Sequence, residues 1–251
     1  MTASFRPYRS DGRSATVRRL ATAVDMSPEE MDYLEALQSN RAWFEPGQDI
    51  FKERDPIVSS FMQREGWSYR WYVTARGRRQ ILNVYLPGDT IELNANFPHD
   101  ALYTVTALTG VEVALLEPNR MTSMWGTHPN IAAALEWSYT SEINVLSEHN
   151  ISLGARPARD RILHLLIELW CRLVLVGDAK ERGFDMPLTQ QQIGEICGLS
   201  LVHTNKSISA LSREGLLEWR RSYVAFPSVT EAMRACHFDP RFLDHRTRRL
   251  S

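Results

Sequence analysis

The stretch "GLSLVHTNKSISAL", residues 198–211, gathers His203, Asn205 and Lys206 on one flank of a short predicted helix. Histidine and asparagine can each donate or accept a hydrogen bond, and lysine adds a compact positive charge. The opposite flank carries Leu201, Thr204, Ile208 and Leu211, spaced three or four apart, and is expected to face a core. The open flank suits a solvated surface, the wall of an active site, or a surface that reads a partner. A second concentration of reactive types is Asp89, Glu92, His99 and Asp100, close to one predicted loop. Such residues serve acid–base chemistry or bind metals. No nucleophile elbow, phosphate-cradling glycine loop, HExxH or paired-cysteine spacing accompanies them, so no enzyme is expected. The three cysteines, Cys171, Cys197 and Cys236, are far apart and odd in number. They support no disulfide framework, metal motif or iron–sulfur cluster, and Cys197 is expected to be packed.

The elements that must position these residues belong to a folded chain. Its 251 residues are 43% hydrophobic and 24% charged, a balance that excludes wholesale disorder. No apolar run is long enough to span a bilayer, and the N-terminus has no apolar signal core. A soluble cytoplasmic protein without a membrane partner is the expectation. Residues 156–251 hold 15 Lys/Arg against 11 Asp/Glu, whereas residues 1–155 hold 14 against 19. A basic C-terminal third is weak support for a polyanionic partner until a motif joins it.

Residues 1–24 carry five arginines and read as a flexible basic tail. "SPEEMDYLEAL" (27–37) predicts a short helix, with Ser27 as cap and Glu30 three residues on. Short strands separated by turns then run to about residue 118. "PG" at 46–47, "TARGR", "YLPGD" and Thr109-Gly110 mark the turns. In "GWSYRWYV", Trp67, Tyr69, Trp71 and Val73 alternate with Ser68, Arg70, Tyr72 and Thr74. This pattern predicts a small antiparallel barrel or sandwich, within a domain spanning 25–128. Helical periodicity returns over 129–154, where Leu135, Tyr139, Leu146 and Leu153 recur at heptad-like spacing, with Glu142 and His149 between them. A seam that long predicts a dimerisation helix. "ARPARD" (155–160) reads as a hinge, and the helix that follows is apolar almost all round.

The last domain, 155–251, holds the opening stretch. Thr189 is placed to cap one helix, whose core face is Ile193, Ile196 and Cys197. Gly198 ends it and Ser200 caps the next, so three residues separate two helices. That spacing is helix-turn-helix. "GLLEWRRSYVAF" predicts a hairpin with Arg220 and Arg221 at its tip, which makes the unit a winged helix.

This portion, "T-x-x-x-I-G-x-x-x-G-L-S", resembles the DNA-binding domain of the Crp/Fnr family of bacterial transcription regulators. "GRRQIL", "YLPGD", "VTALTGVEVALL" and the helix from Pro129 resemble the sensor and dimer helix of that family, in the same order. The resemblance covers roughly residues 30 to 230. It implies an α+β chain: an antiparallel β-roll of the double-stranded β-helix type, a long dimer helix and a winged helix-turn-helix. It places Thr189, Gln190 and Gln191 where the family holds DNA phosphates; Arg220 and Arg221, from their place at the wing tip, are expected to be further phosphate contacts. It places Val202, His203, Asn205 and Lys206 on the recognition helix, and the spacing of the core-facing residues puts Ser209 outward with them. The partners implied are double-stranded DNA, a second copy of the chain and RNA polymerase.

The sequence departs from the cyclic-nucleotide-binding members of the family. Those carry Gly-Glu-Leu ahead of an Arg-Ser or Arg-Thr pair. Here Glu92-Leu93 is preceded by Ile91, and Ala101-Leu102 falls where the arginine should be. A buried phosphate without its cation is poorly compensated, so cyclic AMP is not expected. If another effector binds, Glu92 with the aromatic strand Trp67, Tyr69 and Trp71 is the candidate pocket, with core packing the alternative for the rings. No cofactor is expected and the effector is left unidentified. The rival reading is a dimeric small-molecule sensor that acts through protein contacts and keeps a vestigial winged helix.

Overall fold

The computed structural model of the chain describes residues 12–93, 97 and 99–243. Two short helices, α1 (Ala15–Leu20) and α2 (Pro28–Leu37), lead into the strands. These are β1 (Arg41–Phe44), β2 (Asp49–Phe51), β3 (Pro56–Ile57), β4 (Ser60–Glu65), β5 (Ser68–Val73), β6 (Arg79–Tyr85), β7 (Thr90–Ile91), β8 (His99–Asp100), β9 (Thr104–Ala107) and β10 (Val111–Leu116). They form two four-stranded antiparallel sheets, β1-β10-β4-β7 and β2-β9-β5-β6, with β3–β8 as a small flap. The glycines of the predicted turns, Gly47, Gly77 and Gly88, take positive φ. Gly88 is required for a second reason. A Cβ there would stand 2.8 Å from the carbonyl oxygen of Ala15 in α1.

Helix α3 (Pro118–Thr127) follows the roll, and α4 (Pro129–Ala155) runs for 27 residues, roughly 40 Å. Pro157 breaks it from α5 (Ala158–Val176), which has 14 buried residues and is the central helix of the C-terminal unit. The rest of that unit is β11 (Gly183–Asp185), α6 (Gln190–Cys197), α7 (Leu201–Arg213), β12 (Glu218–Arg220), β13 (Tyr223–Ala225) and α8 (Val229–Ala235). The wing is the sheet β11-β13-β12. No helix among the described residues is long and apolar enough to cross a membrane. The α+β class, the roll, the long helix and the winged helix all stand as expected.

Three expectations need correction. The basic tail is folded from Gly12 onward, while its first 11 residues lie outside the described part. Ser14 caps α1, and Val17 and Leu20 are fully buried against Leu34, Leu116 and Leu135. Arg19 is buried in an ion pair with Asp89 at 2.5 Å, and Arg172 of α5 reaches the same carboxylate. Arginine-rich composition concealed a helix whose arginine has an internal partner.

The phase of the α4 seam is also different. Leu135 is 3% exposed and belongs to the core beneath α1, and Glu142 and His149 point inward as well. The stripe left toward solvent is Tyr139, Ile143, Leu146, Asn150 and Leu153, which again steps by four and three. Heptad spacing holds on two adjacent stripes of this helix. The inward one is chosen by small residues, Ser138, Ser141 and Ser152, and by buried polar partners for Glu142 and His149.

Third, Trp67, Tyr69 and Trp71 are packed against other parts of the protein and, among the described residues, do not line the cleft that holds Glu92. Their face of β5 covers the C-terminal unit. Trp67 stacks on Phe184 of β11 at 6.3 Å, and Tyr69 and Trp71 flank the Arg79 guanidinium. Arg79 in turn pairs with Glu195 of α6 at 2.8 Å, and Gln80 donates to the Ile196 carbonyl. One apolar cluster therefore continues from the roll into the winged helix. Core packing, the alternative to a pocket for these rings, is what they do.

Candidate nucleic-acid interface

The helix-turn-helix is built from local chemistry. Thr189 and Gln192 form a reciprocal capping box at the start of α6. Ile193, Ile196 and Cys197 are buried on its inner face. Gly198 ends α6 in the left-handed region at φ 67°, and Ser200 accepts the His203 N–H to start α7. Gly194 permits the steep crossing. A Cβ there would meet Thr204 Oγ1 at 2.8 Å and the Leu199 carbonyl oxygen at 2.9 Å.

On α7 the buried set is Thr204, Ser207, Ile208 and Leu211. Leu201 was expected in that set but is 47% exposed, because it is the first residue of the helix and burial starts at Thr204. Val202, His203, Asn205, Lys206 and Ser209 are all exposed. Among the described residues, the side chains of the last four take up no hydrogen bond or ion pair. Thirteen residues make a rod of about 20 Å, and a major groove about 12 Å wide admits such a helix.

The flanking residues are placed around this helix in different states of readiness. Thr189 is exposed, but its hydroxyl is engaged with Gln192. Gln190 is half-buried, and Gln191 donates to Glu195 at 3.2 Å. At the wing, Arg220 pairs with Glu218 at 2.8 Å on an open surface. Arg221 is exposed in the two-residue turn between β12 and β13, with φ 54°.

A separate cleft of about 260 Å3 lies between the roll and α4, lined by Arg70, Glu92, His99, Tyr103, Glu142 and α4 residues of the outward stripe. Glu92 is buried with a positive φ of 56° and accepts from the Tyr103 hydroxyl. Ala101 is buried and Leu102, 75% exposed, lines the cleft; both side chains are apolar and supply no charge. Among the described residues the arginine of this cleft is Arg70, which the sequence marks only as an alternating residue of β5. It donates to Tyr103 at 3.0 Å and pairs with Glu142 at 3.3 Å. Its one sequence signal was a charged residue facing inward on a strand whose other face is aromatic.

Buried charge continues along α4 into α5. His149 Nε2 lies 2.8 Å from Glu168, which accepts from Arg172 at 3.0 Å. Burial works against the Glu168 carboxylate, but His149 and Arg172 overcome it and hold its pKa at about 2. Burial pushes the thiols of Cys197 and Cys236 up to about 12, so both are inert packing groups.

A β-roll joined by a long helix to a winged helix with a free outward face is the architecture of a two-domain DNA-binding regulator. Residues 41–128 match the cyclic nucleotide-binding domain, and residues 160–229 match the Crp-like helix-turn-helix domain. Electron transport regulator A of Shewanella oneidensis is 25% identical over 206 residues, covering 82% of each chain. The fumarate and nitrate reduction regulatory protein of Shigella dysenteriae is 21% identical over 212 residues, covering 84% of each. The solved structure of FixK2 from Bradyrhizobium japonicum superposes with a TM-score of 0.69 at 21% identity, over 78% of this chain and 96% of that one. The chain belongs to the Crp/Fnr family of transcription regulators.

Proposed function

We propose that this regulator binds a palindromic operator as a homodimer, with α7 of each protomer in the major groove. The observation that carries the reading is the outward face of α7. Four polar side chains stand free there beside Val202. Asn205 suits the adenine edge and Lys206 the N7 and O6 of guanine. His203 and Ser209 can donate or accept, and Val202 can touch a thymine methyl. Arg221, Arg220 and the α6 N-terminus with Thr189, Gln190 and Gln191 grip phosphates and fix register. The α4 stripe Tyr139, Ile143, Leu146 and Leu153 pairs with its twin, which sets the two α7 helices one DNA turn apart, about 34 Å. The protein works in the cytoplasm as a regulator, not an enzyme, and contacts RNA polymerase when bound.

In this reading the roll does not bind cyclic AMP. Arg70, the arginine of its cleft among the described residues, already has a carboxylate partner. A micromolar or tighter affinity for cyclic AMP by titration calorimetry would reverse that part.

Selection of duplexes from a random pool, using the purified protein without additives, tests the whole. The expected product is a palindrome whose half-sites are centred one turn apart. Failure to enrich any motif would leave the rival, a sensor with a vestigial winged helix, in its place.

A further inference from the structure

The carboxylate of Glu142 enters the roll from the inward face of α4. It accepts from the Tyr85 hydroxyl at 2.8 Å and from Asn83 Nδ2 at 3.3 Å, and Arg70 Nη2 stands 3.3 Å away. All three partners are on β5 and β6. The Arg70 guanidinium also lies over the ring of Tyr103 at 4.5 Å. One buried guanidinium with a hydroxyl and an amide converging on one carboxylate oxygen, Oε1, is the donor set that an anion takes. A helix supplies the anion here.

Two turns further along the same face, His149 makes the matching contact to Glu168 of α5. Helix α4 thus holds the roll at Glu142, and about 10.5 Å further along its axis His149 joins the Leu82 carbonyl of β6 to Glu168 of the C-terminal unit. A change at the first contact turns or lifts a rod that carries the second.

We infer that Glu142 is a built-in anionic ligand. The donors Arg70, Tyr85 and Asn83 bind a carboxylate of the chain's own α4 in place of a diffusible anion. The register of α4 on the roll is then set without an effector. The consequence for operator binding rests on the proposed function; the occupancy of the donor set does not.

Chemical rescue separates the two. Glu142→Ala leaves a carboxylate-sized void beside a cleft open to solvent. Acetate or formate should raise the melting temperature of Glu142→Ala saturably, while sodium chloride at equal ionic strength does not. The wild type, its site already filled, should not respond. Adding Arg70→Met should abolish the response. Operator affinity of Glu142→Ala should fall roughly 5- to 150-fold, the span of ordinary coupling energies, and acetate should restore it.

A folded Glu142→Ala whose melting ignores acetate overturns the inference. Should that variant not fold, the near-isosteric Glu142→Gln decides. Reduced operator affinity with an intact dimer supports the inference, and wild-type affinity sinks it. If the wild type binds no duplex at all, the DNA reading has failed, and the acetate melt still decides this one.

Discussion

Two helix faces of this molecule carry polar side chains at helical spacing and use them in opposite ways. On the inward face of α4, Glu142 and His149 are enclosed, and each meets partners from another element. On the outward face of α7, His203, Asn205, Lys206 and Ser209 are exposed and meet none among the described residues. A buried polar group must be satisfied internally or it costs the fold. An exposed one is satisfied by water and can exchange that water for a partner. Polarity in the sequence looks alike in both places, so enclosure decides whether it serves the fold or a partner.

The comparison breaks most visibly if the enclosed charges are removed. Arg172 joins Asp89, Glu168 and the Val84 carbonyl at 4% side-chain exposure. Arg172→Ala leaves buried carboxylates short of a partner and is expected to cost about 3–5 kcal/mol in urea unfolding. Arg220→Ala, which removes an exposed ion pair, should change stability by under about 1 kcal/mol. Equal costs would show that enclosure is not what distinguishes them.

A pH effect from the same enclosed region comes next. His164 of α5 is 1% exposed, between Phe238 and Phe242. Burial, aided by the positive charge of Arg156, lowers its pKa from 6.5 to about 4. The unfolded chain therefore takes up a proton on His164 before the folded chain does. Its contribution to stability is lost as pH falls from 6.5 toward 4. Urea midpoints at pH of about 7 and about 4.5 should fall further for the wild type than for His164→Leu. Parallel losses would assign the acid sensitivity to other groups.

How much of this was legible in the sequence follows from how local each signal is. Capping and turn chemistry at Thr189, Gly198 and Ser200 acts within a few residues, and the helix-turn-helix stood out. The phase of α4 is not local. Residues at heptad spacing define two adjacent stripes, and only the roll and α5 choose between them. The direction of Trp67, Tyr69 and Trp71 depended on a domain more than 100 residues away. Alternation on β5 marked two faces without saying which one met the C-terminal unit. Helix α1 was missed because a buried arginine needs a carboxylate, and Asp89 is remote from it in sequence.

On the exposed face the expected losses are in binding alone. Asn205→Ala or Lys206→Ala should leave unfolding within about 0.5 kcal/mol of wild type. Each should cost about 1–3 kcal/mol on the selected operator and relax one position per half-site. If Lys206→Ala left both affinity and the motif unchanged, α7 would not be the reading helix.

The smallest effect is the one that separates grip from reading. Arg221 sits at the wing tip, and its left-handed φ of 54° lets the two-residue turn close between Arg220 and Tyr223. Its side chain has no ion pair among the described residues, so it is free to meet a phosphate, and Arg220 must first leave Glu218. A phosphate contact carries no base information, so Arg221→Ala should weaken the operator and an unrelated duplex by the same factor. Each phosphate neutralised contributes about 0.9 to the slope of log affinity against log salt. The slope should therefore flatten by about that amount per protomer contact, with the selected motif unchanged. Salt titrations of both duplexes with wild type and variant measure this directly. A variant that lost affinity only for the operator, with its salt slope intact, would make Arg221 a reader and move the wing into the class now given to α7.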